Sequence, residues 1–391
     1  MAQPRASKAK VVDVHTHMYP PEYIRILESR LTIPLVRSFP GATDPRLILL
    51  DAEVPALNVA LSSGPAATPS VLPGRPLTRH FASLSQKLHF MDTHGIDISI
   101  VSLANPWLDF LPPATAGPTA TSINTSFSSM CAAHPGRLYF FAALPLTAPQ
   151  EAILSSIAHA AALPYCRGVI LGTSGLGSGL DDPLLLPILR ALATASLPIF
   201  LHPHYGLPNA VFGPLAAAGA YGHVLPLAIG FPVETTIAVT RMYLAGVFDA
   251  VPSLRMLLAH SGGCLPFLAG RIESCIVHDG HLAVLGKTAS PPRRTVWEVL
   301  REQVYLDAVI YSNVGLKAAV QAAGEGGAGR VMFGTDHPFF PPVGGGEGED
   351  GVWESVELNS LAVEGAFGAG TPGAEGVMGG NAVEVFRLFG E

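Results

Sequence analysis

Eight short apolar runs, rich in β-branched and aromatic residues, recur along the chain and alternate with stretches that can form helices. Most of these runs are continuously apolar, which is the pattern of parallel strands buried on both faces beneath helices. The predicted strands cover residues 11–17, 97–103, 138–145, 167–172, 198–203, 254–260, 303–308 and 330–336. This alternation predicts an α/β fold, a (β/α)8 TIM barrel with insertions at its mouth, with a doubly wound sheet as the alternative.

Two connections are longer than a barrel needs. Residues from about 20 to 90 hold a Pro-rich segment, and residues 207–249 must cross the barrel mouth after the fifth strand. Long insertions after barrel strands tend to form lids and pockets. We therefore expect a single domain over residues 1–391, with a lid at about 20–90 and a mobile Gly-rich loop at about 343–351.

Composition limits the partners and the compartment. Charged residues make up 14% of the chain, the net charge is −7 and no basic run occurs, which argues against nucleic acid and favours a small anionic ligand. The four cysteines form no CxxC pair, so neither a disulfide framework nor a thiolate zinc site is expected. With no secretory signal and no uninterrupted apolar run of about 18 residues, we expect a cytoplasmic protein that does not bind a membrane.

A pair of histidines two residues apart, His15 and His17, ends the first predicted strand. Residues i and i+2 of a strand point to the same face, so both imidazoles can bind one ion, and Asp13 on that face could orient one of them. An HxH pair is also common by chance, and two hydrogen-bonded polar side chains would explain it equally well. The pair alone therefore does not establish a metal site.

Further polar side chains end apolar runs at the carboxyl ends of predicted strands, where the active sites of barrel enzymes lie. His202 ends the fifth strand, His260 ends the sixth and Asp336 ends the eighth. Each alone could be a helix cap or a core residue, but the agreement of several strand ends predicts one shared site. We expect His15, His17, His202 and Asp336 to bind Zn2+, with Mn2+ or Fe2+ as less favoured choices.

Two neighbouring features refine this site. His204 competes with His202, because the HPH sequence puts both on one strand face, and we favour His202 as nearer the barrel interior. The fourth predicted strand, RGVILGTSG, has no Lys or Glu to bridge two metals, so one ion per chain is expected. His260 is then available as an acid/base beside the metal.

Several residues could bind a planar anionic substrate. Arg271, on the helix after the sixth strand, could clamp a carboxylate, although a surface ion pair is an equal alternative. Asn105 follows the second strand and offers the amide groups that the edge of a heterocycle needs, or else it forms an Asn-Pro turn. Phe231 and Phe339 could stack on a ring or belong to the core. Arg75, from the lid segment, is a further candidate.

The stretches VVDVHTHMYPPEY, FLHPHYGLPN, LLAHSGG and MFGTDHPFFPP resemble the amidohydrolase superfamily. The resemblance is to its decarboxylase branch, which includes aminocarboxymuconate-semialdehyde decarboxylase and γ-resorcylate decarboxylase. The stretches LTIPLVRSFP, SLANPW, RGVILGTSGLG, FPVETTIAV, GRIESCIVHDGHL and YLDAVIYS resemble fungal enzymes of that branch that act on a pyrimidine carboxylate. The likeness runs over nearly the whole chain and weakens at the N-terminus and in the Gly-rich C-terminal part.

The resemblance implies a zinc-dependent, non-oxidative decarboxylase that converts uracil-5-carboxylate to uracil and CO2 in pyrimidine salvage. It implies that the four predicted ligands bind zinc, that His260 lies beside the metal, and that Asp336 is both ligand and proton donor. The substrate contacts that it implies are those of Asn105, Arg271, Phe231 and Phe339.

Three alternatives stay open. A hydrolase of the same superfamily would use the same ligands to activate a water molecule. A decarboxylase of a salicylate-type aromatic acid would need a more apolar pocket, in which Asn105 has little to recognise. A barrel that has lost catalysis and serves as a scaffold would leave the acid/base positions without a use. A homodimer is expected because relatives commonly pair.

Overall fold

The computed structural model describes residues 9–49, 53–62, 72–214, 221, 224–282, 293–342 and 351–389. Its strands, numbered in chain order, are Val12–His17 (β1), Leu35–Arg37 (β2), Arg46–Ile48 (β3), Arg75–Pro76 (β4), Ile98–Ser102 (β5), Leu138–Ala143 (β6), Cys166–Gly172 (β7), Ile199–His202 (β8), Met256–Leu258 (β9), Val304–Asp307 (β10) and Val331–Met332 (β11). β1 and β5 to β11 form one eight-stranded sheet, in this order and with parallel pairing throughout.

Backbone hydrogen bonds between β1 and the segment that follows β11 close this sheet into a barrel. The Val14 amide donates to the Phe333 carbonyl oxygen over 3.0 Å, and the His17 amide donates to the His337 carbonyl oxygen over 2.8 Å. The predicted (β/α)8 barrel is confirmed, and each predicted strand overlaps one barrel strand. A doubly wound sheet is excluded because such a sheet would leave two free edges.

Helices connect the barrel strands and cover their outer face. Their bounds are Pro21–Ser29, Val54–Ser62, Arg79–Ala82, Leu84–Thr93, Pro113–Ala132, Gln150–Ala162, Leu186–Thr194, Phe231–Leu244, Val247–Ala250, Leu265–His278, Val296–Glu302, Asn313–Ala322, Glu354–Phe367, Pro372–Glu375 and Asn381–Val385. Short 3₁₀ or π turns cover Pro183–Leu185, Asn209–Phe212, Val224–Gly230, His260–Gly262, Gly327–Arg330 and Gly376–Gly380. Every residue of β1, β5 and β6 is buried, and β6, LYFFAA, is accordingly an uninterrupted apolar run.

The segment between β1 and β5 contains a small antiparallel sheet, β2-β3-β4. Leu35 pairs with Ile48 across β2 and β3, and both belong to a small apolar cluster distinct from the barrel core. Leu47 pairs with Arg75, so β4 is the third strand of this sheet, next to β3. Its movement as a lid and the single-domain organisation stay predictions. The predicted Gly-rich loop falls, apart from residue 351, outside the described residues.

One helical stretch within the described residues, Val224–Leu244, is long and apolar enough to cross a membrane, with a mean hydropathy of 1.2. Such a stretch is weak evidence of a membrane span, because helices of proteins outside membranes pass the same test. In this chain, Phe231 on that stretch contacts the ring of His202 at the barrel mouth, with ring centroids 6.2 Å apart.

Candidate metal centre and active site

The four predicted metal ligands converge at the carboxyl end of the barrel. One nitrogen or oxygen atom from each of His15, His17, His202 and Asp336 lies within 4.8 Å of the others, and all four side chains are buried. Asp336 Oδ1 lies 3.2 Å from His15 Nε2 and 3.5 Å from His17 Nε2. Across the described part of the chain, this is the one group of ligand-type side chains with such spacing.

Asp336 reaches the cluster from a loop and not from a strand. β11 ends at Met332, and Asp336 adopts a left-handed backbone conformation with φ of 59°, which Asp tolerates better than most residues. Its amide donates to the His15 carbonyl oxygen over 2.7 Å. The predicted eighth strand, residues 330–336, therefore extends too far at its carboxyl end. The chain leaves the sheet after Met332, and the Asp336 carboxylate turns toward the barrel interior.

The Nδ1 atom of each imidazole in the cluster is engaged by a neighbour, away from the cluster. The contacts join His15 to the Asp307 carboxylate (2.6 Å), His17 to the Ser102 hydroxyl (2.9 Å) and His202 to the Pro203 carbonyl oxygen (2.8 Å). Carboxylate and carbonyl oxygens only accept, so Nδ1 of His15 and His202 carries a proton, and Nε2, once any proton on it is lost, offers its lone pair to the cluster. This is the tautomer that a metal ligand requires.

Several buried polar atoms of the cluster have no hydrogen-bond partner among the described residues. They are Nε2 of His15, Nε2 of His17 and Oδ1 of Asp336. Buried polar atoms ordinarily have partners, so these atoms need an explanation. Imidazole nitrogens and a carboxylate oxygen that face one another form a typical ligand set for a divalent ion. The residues present therefore fit a single divalent metal.

Asp307, the last residue of β10, is a functional residue that the sequence interpretation missed. Its buried carboxylate accepts from His15 Nδ1 and from the backbone amides of His260 (3.1 Å) and Ser261 (2.9 Å). It therefore links a metal ligand to the turn that carries His260. Its signal was a carboxylate that ends an apolar run at the barrel mouth, the same signal that marks the predicted ligands.

The orienting role predicted for Asp13 belongs to Asp307 instead. The Asp13 carboxylate accepts from the His15 backbone amide over 3.2 Å, and not from an imidazole ring. It also accepts from the Thr335 amide over 3.1 Å and the Thr335 hydroxyl over 2.7 Å. Asp13 thus fastens β1 to the loop before Asp336, because its side chain binds the backbone of both segments.

His260 lies beside the cluster. β9 ends at Leu258, and His260 begins a 3₁₀ turn with a φ of 54°. Its Nε2 lies 3.6 Å from Asp336 Oδ2, and its ring centroid lies 5.2 Å from that of His15 and 5.3 Å from that of His202. Its Nδ1 is buried and has no hydrogen-bond partner among the described residues. The ring is within reach of a proton exchange with Asp336.

Burial and the nearby carboxylates set the charge of the cluster. Burial disfavours a charged His15, but Asp336 and Asp307 outweigh it and raise the pKa of His15 to about 10. Burial lowers the pKa of His17 to about 4 and holds that of His202 well below its usual range. Burial opposes ionisation of Asp336, yet the cationic His15 beside it holds its pKa well below the usual range. A divalent cation can therefore replace the Nε2 proton of His15, and the Asp336 carboxylate beside it is already ionised.

The loop after β8 is held by a carboxylate on the next helix. Glu234 accepts from the backbone amides of His204 (2.9 Å) and Gly206 (2.6 Å). Gly206 has a φ of 77°, and a Cβ there would lie 3.3 Å from the ring of Phe231. The Phe231 ring centroid also lies 6.3 Å from that of the His260 ring.

Phe339 and Arg75 form a second side of the site. The Phe339 ring centroid lies 5.6 Å from that of His17, and the Arg75 guanidinium lies over the Phe339 ring at 4.9 Å. Arg75 makes no side-chain hydrogen bond or ion pair with any residue in the described ranges. Its guanidinium is therefore available to an anion close to the metal cluster.

The side-chain amide of Asn105 already makes one hydrogen bond within the fold. Its amide nitrogen donates to the His204 carbonyl oxygen over 2.7 Å, while its own backbone oxygen accepts from the Tyr19 hydroxyl over 2.6 Å. These bonds hold the loop after β5 against the loop after β8. One amide hydrogen and Oδ1 of Asn105 remain for a ligand.

Two other predicted residues lie outside the cluster. His204 faces Asp109, with Nε2 and Oδ2 3.0 Å apart, so the choice of His202 over His204 as the ligand agrees with the geometry. Arg271 lies on the exposed side of helix Leu265–His278, and its side chain makes no hydrogen bond or ion pair with any described residue. Its role at the substrate stays a prediction.

The end of β7 has no room for a side chain that could bridge two metals. A Cβ at Gly172 would lie 2.6 Å from the Trp107 ring and 3.0 Å from His204 Nδ1. Trp107 and His204 therefore fill the space that a longer residue would need. This packing agrees with the expectation of one ion per chain.

The chain resembles known proteins over nearly its whole length. The amidohydrolase family profile matches residues 12–388. The crystal structure of Metarhizium anisopliae IDCase in apo form is 67% identical, with a TM-score of 0.91 over 97% of this chain and 98% of that chain. The 2-amino-3-carboxymuconate-6-semialdehyde decarboxylase of Dictyostelium discoideum is 26% identical over 310 residues, which are 77% of this chain and 76% of that protein.

A more distant solved structure shares the fold. It is the dihydroxybenzoic acid decarboxylase of Polaromonas sp. JS666 with bound manganese and the inhibitor 2-nitroresorcinol. It is 20% identical, with a TM-score of 0.66 over 97% of each chain. Together with the ligand cluster at the barrel mouth, these matches establish that the chain belongs to the amidohydrolase family and is one of its decarboxylases.

Proposed function

We propose that this chain converts uracil-5-carboxylate, also called isoorotate, to uracil and CO2. The observation that carries the proposal is a metal-ligand cluster close to two phenylalanine rings and to a guanidinium that forms no ion pair with any described residue. Such a site can bind a planar carboxylate by its charge and by its ring faces. The substrate is supported by the 67% identity to IDCase, isoorotate decarboxylase, over 97% of the chain.

We propose one Zn2+ per chain, held by the Nε2 atoms of His15, His17 and His202 and by the Asp336 carboxylate. This nitrogen-rich set suits zinc, and Mn2+ or Fe2+ are compatible with the same donors. When bound, the ion would supply Lewis-acid chemistry that polarises an oxygen-bearing substrate. Asp307 supports this arrangement because it keeps the His15 lone pair directed at the cluster.

The order of bond changes follows from the ring chemistry. Direct loss of CO2 from C5 would leave an unstable vinylic carbanion, so a proton adds to C5 first. The electron pair of the C5–C6 double bond forms the new C–H bond, and C5 becomes tetrahedral. The bond from C5 to the carboxylate then breaks, its electron pair restores the C5–C6 double bond, and CO2 leaves. Each turnover consumes one proton and needs neither an oxidant nor an organic cofactor.

Asp336 is the proposed donor of that proton. Because the pKa of Asp336 lies well below its usual range in the substrate-free cluster, it must first receive a proton. His260 Nε2, 3.6 Å from Asp336 Oδ2, is the proposed source, because the closer Nε2 atoms of His15 and His17 are the proposed metal ligands. A bound substrate carboxylate favours the transfer, because a second negative charge in the buried site disfavours an ionised Asp336.

The remaining site residues orient the ring. Arg75 would bind the substrate carboxylate, and the remaining amide groups of Asn105 would bind the polar edge of the pyrimidine. Phe339 and Phe231 would confine the ring and exclude water. Arg271 is kept as a further contact to the carboxylate.

We also propose a cytoplasmic homodimer. Pairing is supported by large apolar side chains exposed on two helices that pack against each other, Phe231–Leu244 and Leu265–His278. Ile237 on the first helix and Phe267 on the second are examples, and the Phe267 side chain is 84% exposed. Exposed apolar surface of this kind is typical of contacts between protein chains.

A substrate panel tests the proposed function. Metal-assayed protein is incubated with uracil-5-carboxylate and, separately, with 2,6-dihydroxybenzoate, and the products and CO2 are quantified. We expect uracil and CO2 in equal amounts and little turnover of the benzoate. Turnover of the benzoate without uracil would instead favour the salicylate-type alternative, which the fold shared with the Polaromonas enzyme keeps open. A product formed by water addition without CO2 would point to a hydrolase.

A further inference from the structure

A fully buried lysine lies behind the strand that carries two of the metal ligands. Lys87, on helix Leu84–Thr93, has no exposed surface, and its ammonium donates to the Thr16 hydroxyl over 2.6 Å and to His337 Nδ1. Lysine is rarely buried completely, because removing an ammonium from water is unfavourable unless partners replace the water. The Asp13 carboxylate supplies the opposite charge nearby. The sequence interpretation did not single out Lys87.

Both hydrogen-bond partners of Lys87 are sequence neighbours of metal ligands. Thr16 stands between His15 and His17, and His337 follows Asp336. The Thr16 hydroxyl also donates to the His337 carbonyl oxygen over 3.2 Å, and the His17 amide donates to the same oxygen over 2.8 Å. The ammonium therefore joins the two segments that carry three of the four ligands.

The direction of the hydrogen bonds fixes the ring of His337. An ammonium only donates, so His337 Nδ1 accepts and its Nε2 carries the ring proton. That Nε2 lies 3.2 Å from His80 Nδ1, which accepts the bond. The ring also stacks on Phe90, with centroids 3.7 Å apart. His337 cannot turn without breaking a bond to Lys87 or to His80.

Asp336 depends on such a fixed neighbour. Asp tolerates a left-handed backbone conformation better than most residues, but a φ of 59° still costs more than it would for glycine and needs surroundings that hold it. We propose that Lys87 is a positioning residue for the metal site, which sets the distance between the β1 ligands and Asp336 through Thr16 and His337. The proposal rests on the proposed metal site but not on the identity of the substrate.

The test replaces Lys87 by methionine, which keeps the length of the side chain and removes its donors. Metal affinity is measured by competition with a chromophoric chelator, and the absorption spectrum of the Co2+-substituted protein reports the ligand geometry. We expect about 10–100-fold weaker metal binding, the range typical for residues that orient metal ligands. We also expect a changed Co2+ spectrum, because the position of Asp336 relative to the histidines changes.

Ile153→Ala is the matched control. Ile153 is buried on helix Gln150–Ala162, whose neighbours are helices Pro113–Ala132 and Leu186–Thr194. This variant should lower the free energy of unfolding and leave metal affinity and the Co2+ spectrum unchanged. If Lys87→Met behaves in the same way, the lysine is merely structural and the proposal is wrong.

A second variant covers the case in which Lys87→Met does not fold. Thr16→Val removes only the hydroxyl that receives the ammonium, with almost no change of shape. Weaker metal binding and a shifted Co2+ spectrum in Thr16→Val would support the proposal, and wild-type values of both would overturn it. A chain that binds metal normally yet forms no uracil would contradict the proposed substrate alone.

Discussion

His15 Nδ1 and Asp307 Oδ2 lie 2.6 Å apart in the barrel interior, and neither side chain has exposed surface. The same carboxylate accepts from the backbone amides of His260 and Ser261. One residue therefore sets the tautomer of a metal ligand and also the position of the turn that carries the proposed acid/base. Asp307 therefore supports both the proposed metal binding and the proposed proton delivery.

Asp307→Asn should weaken metal binding by about 10–100-fold. The substituted amide must place its NH2 group at one of the two oxygen positions. At the Oδ2 position it would face His15 Nδ1 and the His260 amide, and at the Oδ1 position it would face the amides of Ser261 and Val309, so both arrangements oppose the present hydrogen bonds. The measurement is the dissociation constant of the metal from chelator competition. Asp249→Asn is the control, because Asp249 also accepts a backbone amide bond, from Arg294, but lies before the start of β9, at the opposite end of the barrel. Equal metal affinities in the two variants would contradict the role of Asp307.

Asp336→Asn should retain much of the metal and lose most of the turnover. The amide oxygen can still bind the ion, but the group no longer donates a carboxylic proton. We expect kcat to fall at least about 100-fold, the lower end for the loss of general acid catalysis, with a smaller change in KM. Metal content and steady-state kinetics are measured on the same sample. Near-full turnover with the metal in place would show that another group protonates C5.

Arg75→Met should raise KM for the carboxylate substrate and leave metal affinity unchanged. A hydrogen bond to a charged group contributes about 1.5–3 kcal/mol, which corresponds to a loss of roughly 10–100-fold in kcat/KM. Arg271→Met, assayed in parallel, tests the other predicted carboxylate contact. An unchanged KM in either variant would remove that arginine from the substrate site.

Asp109 should make stability depend on pH in a defined direction. Burial raises the pKa of Asp109 from 3.8 to about 7, so the folded chain holds the proton more tightly than the unfolded chain does. The favourable contribution of Asp109 to the free energy of unfolding is complete below pH 3.8. It is lost as the pH rises towards 7, and the loss is no more than about 4 kcal/mol.

Asp109→Asn keeps a neutral side chain at every pH. Its Tm should therefore match that of the natural chain in acid and exceed it at pH above about 7. Thermal unfolding of both proteins over this range is the measurement. A Tm difference that stays constant with pH would mean that Asp109 is not protonated in the fold.

The predicted metal ligands could be found from sequence because each ends an apolar run, and parallel barrel strands bring their carboxyl ends together. Asp307 ends an apolar run in the same manner, but the partners of the supporting residues cannot be assigned from such a signal. Asp307 is 292 residues from its partner His15, and Lys87 is 71 and 250 residues from Thr16 and His337. No local pattern encodes such pairs, so a buried charge of this kind is recognised only after the strands are assembled.

The eighth strand illustrates a second limit. Its apolar run continues to the Thr-Asp pair in the sequence, yet the ladder stops at Met332. The side chain of Asp13 takes up the Thr335 amide and hydroxyl, and this tertiary contact overrides the local preference for extended pairing. Strand existence follows from the run itself, whereas its end depends on residues more than 300 positions away.

The most direct test of the account is a titration of metal-free protein with Zn2+ or Mn2+ in the presence of uracil-5-carboxylate labelled in its carboxyl carbon. Labelled CO2 and uracil are followed together. The account predicts that activity rises linearly to one metal per chain, with equal yields of both products, and that His202→Ala reduces activity and metal affinity together. Activity in the metal-free protein, or a need for two ions per chain, would contradict the single-metal decarboxylase.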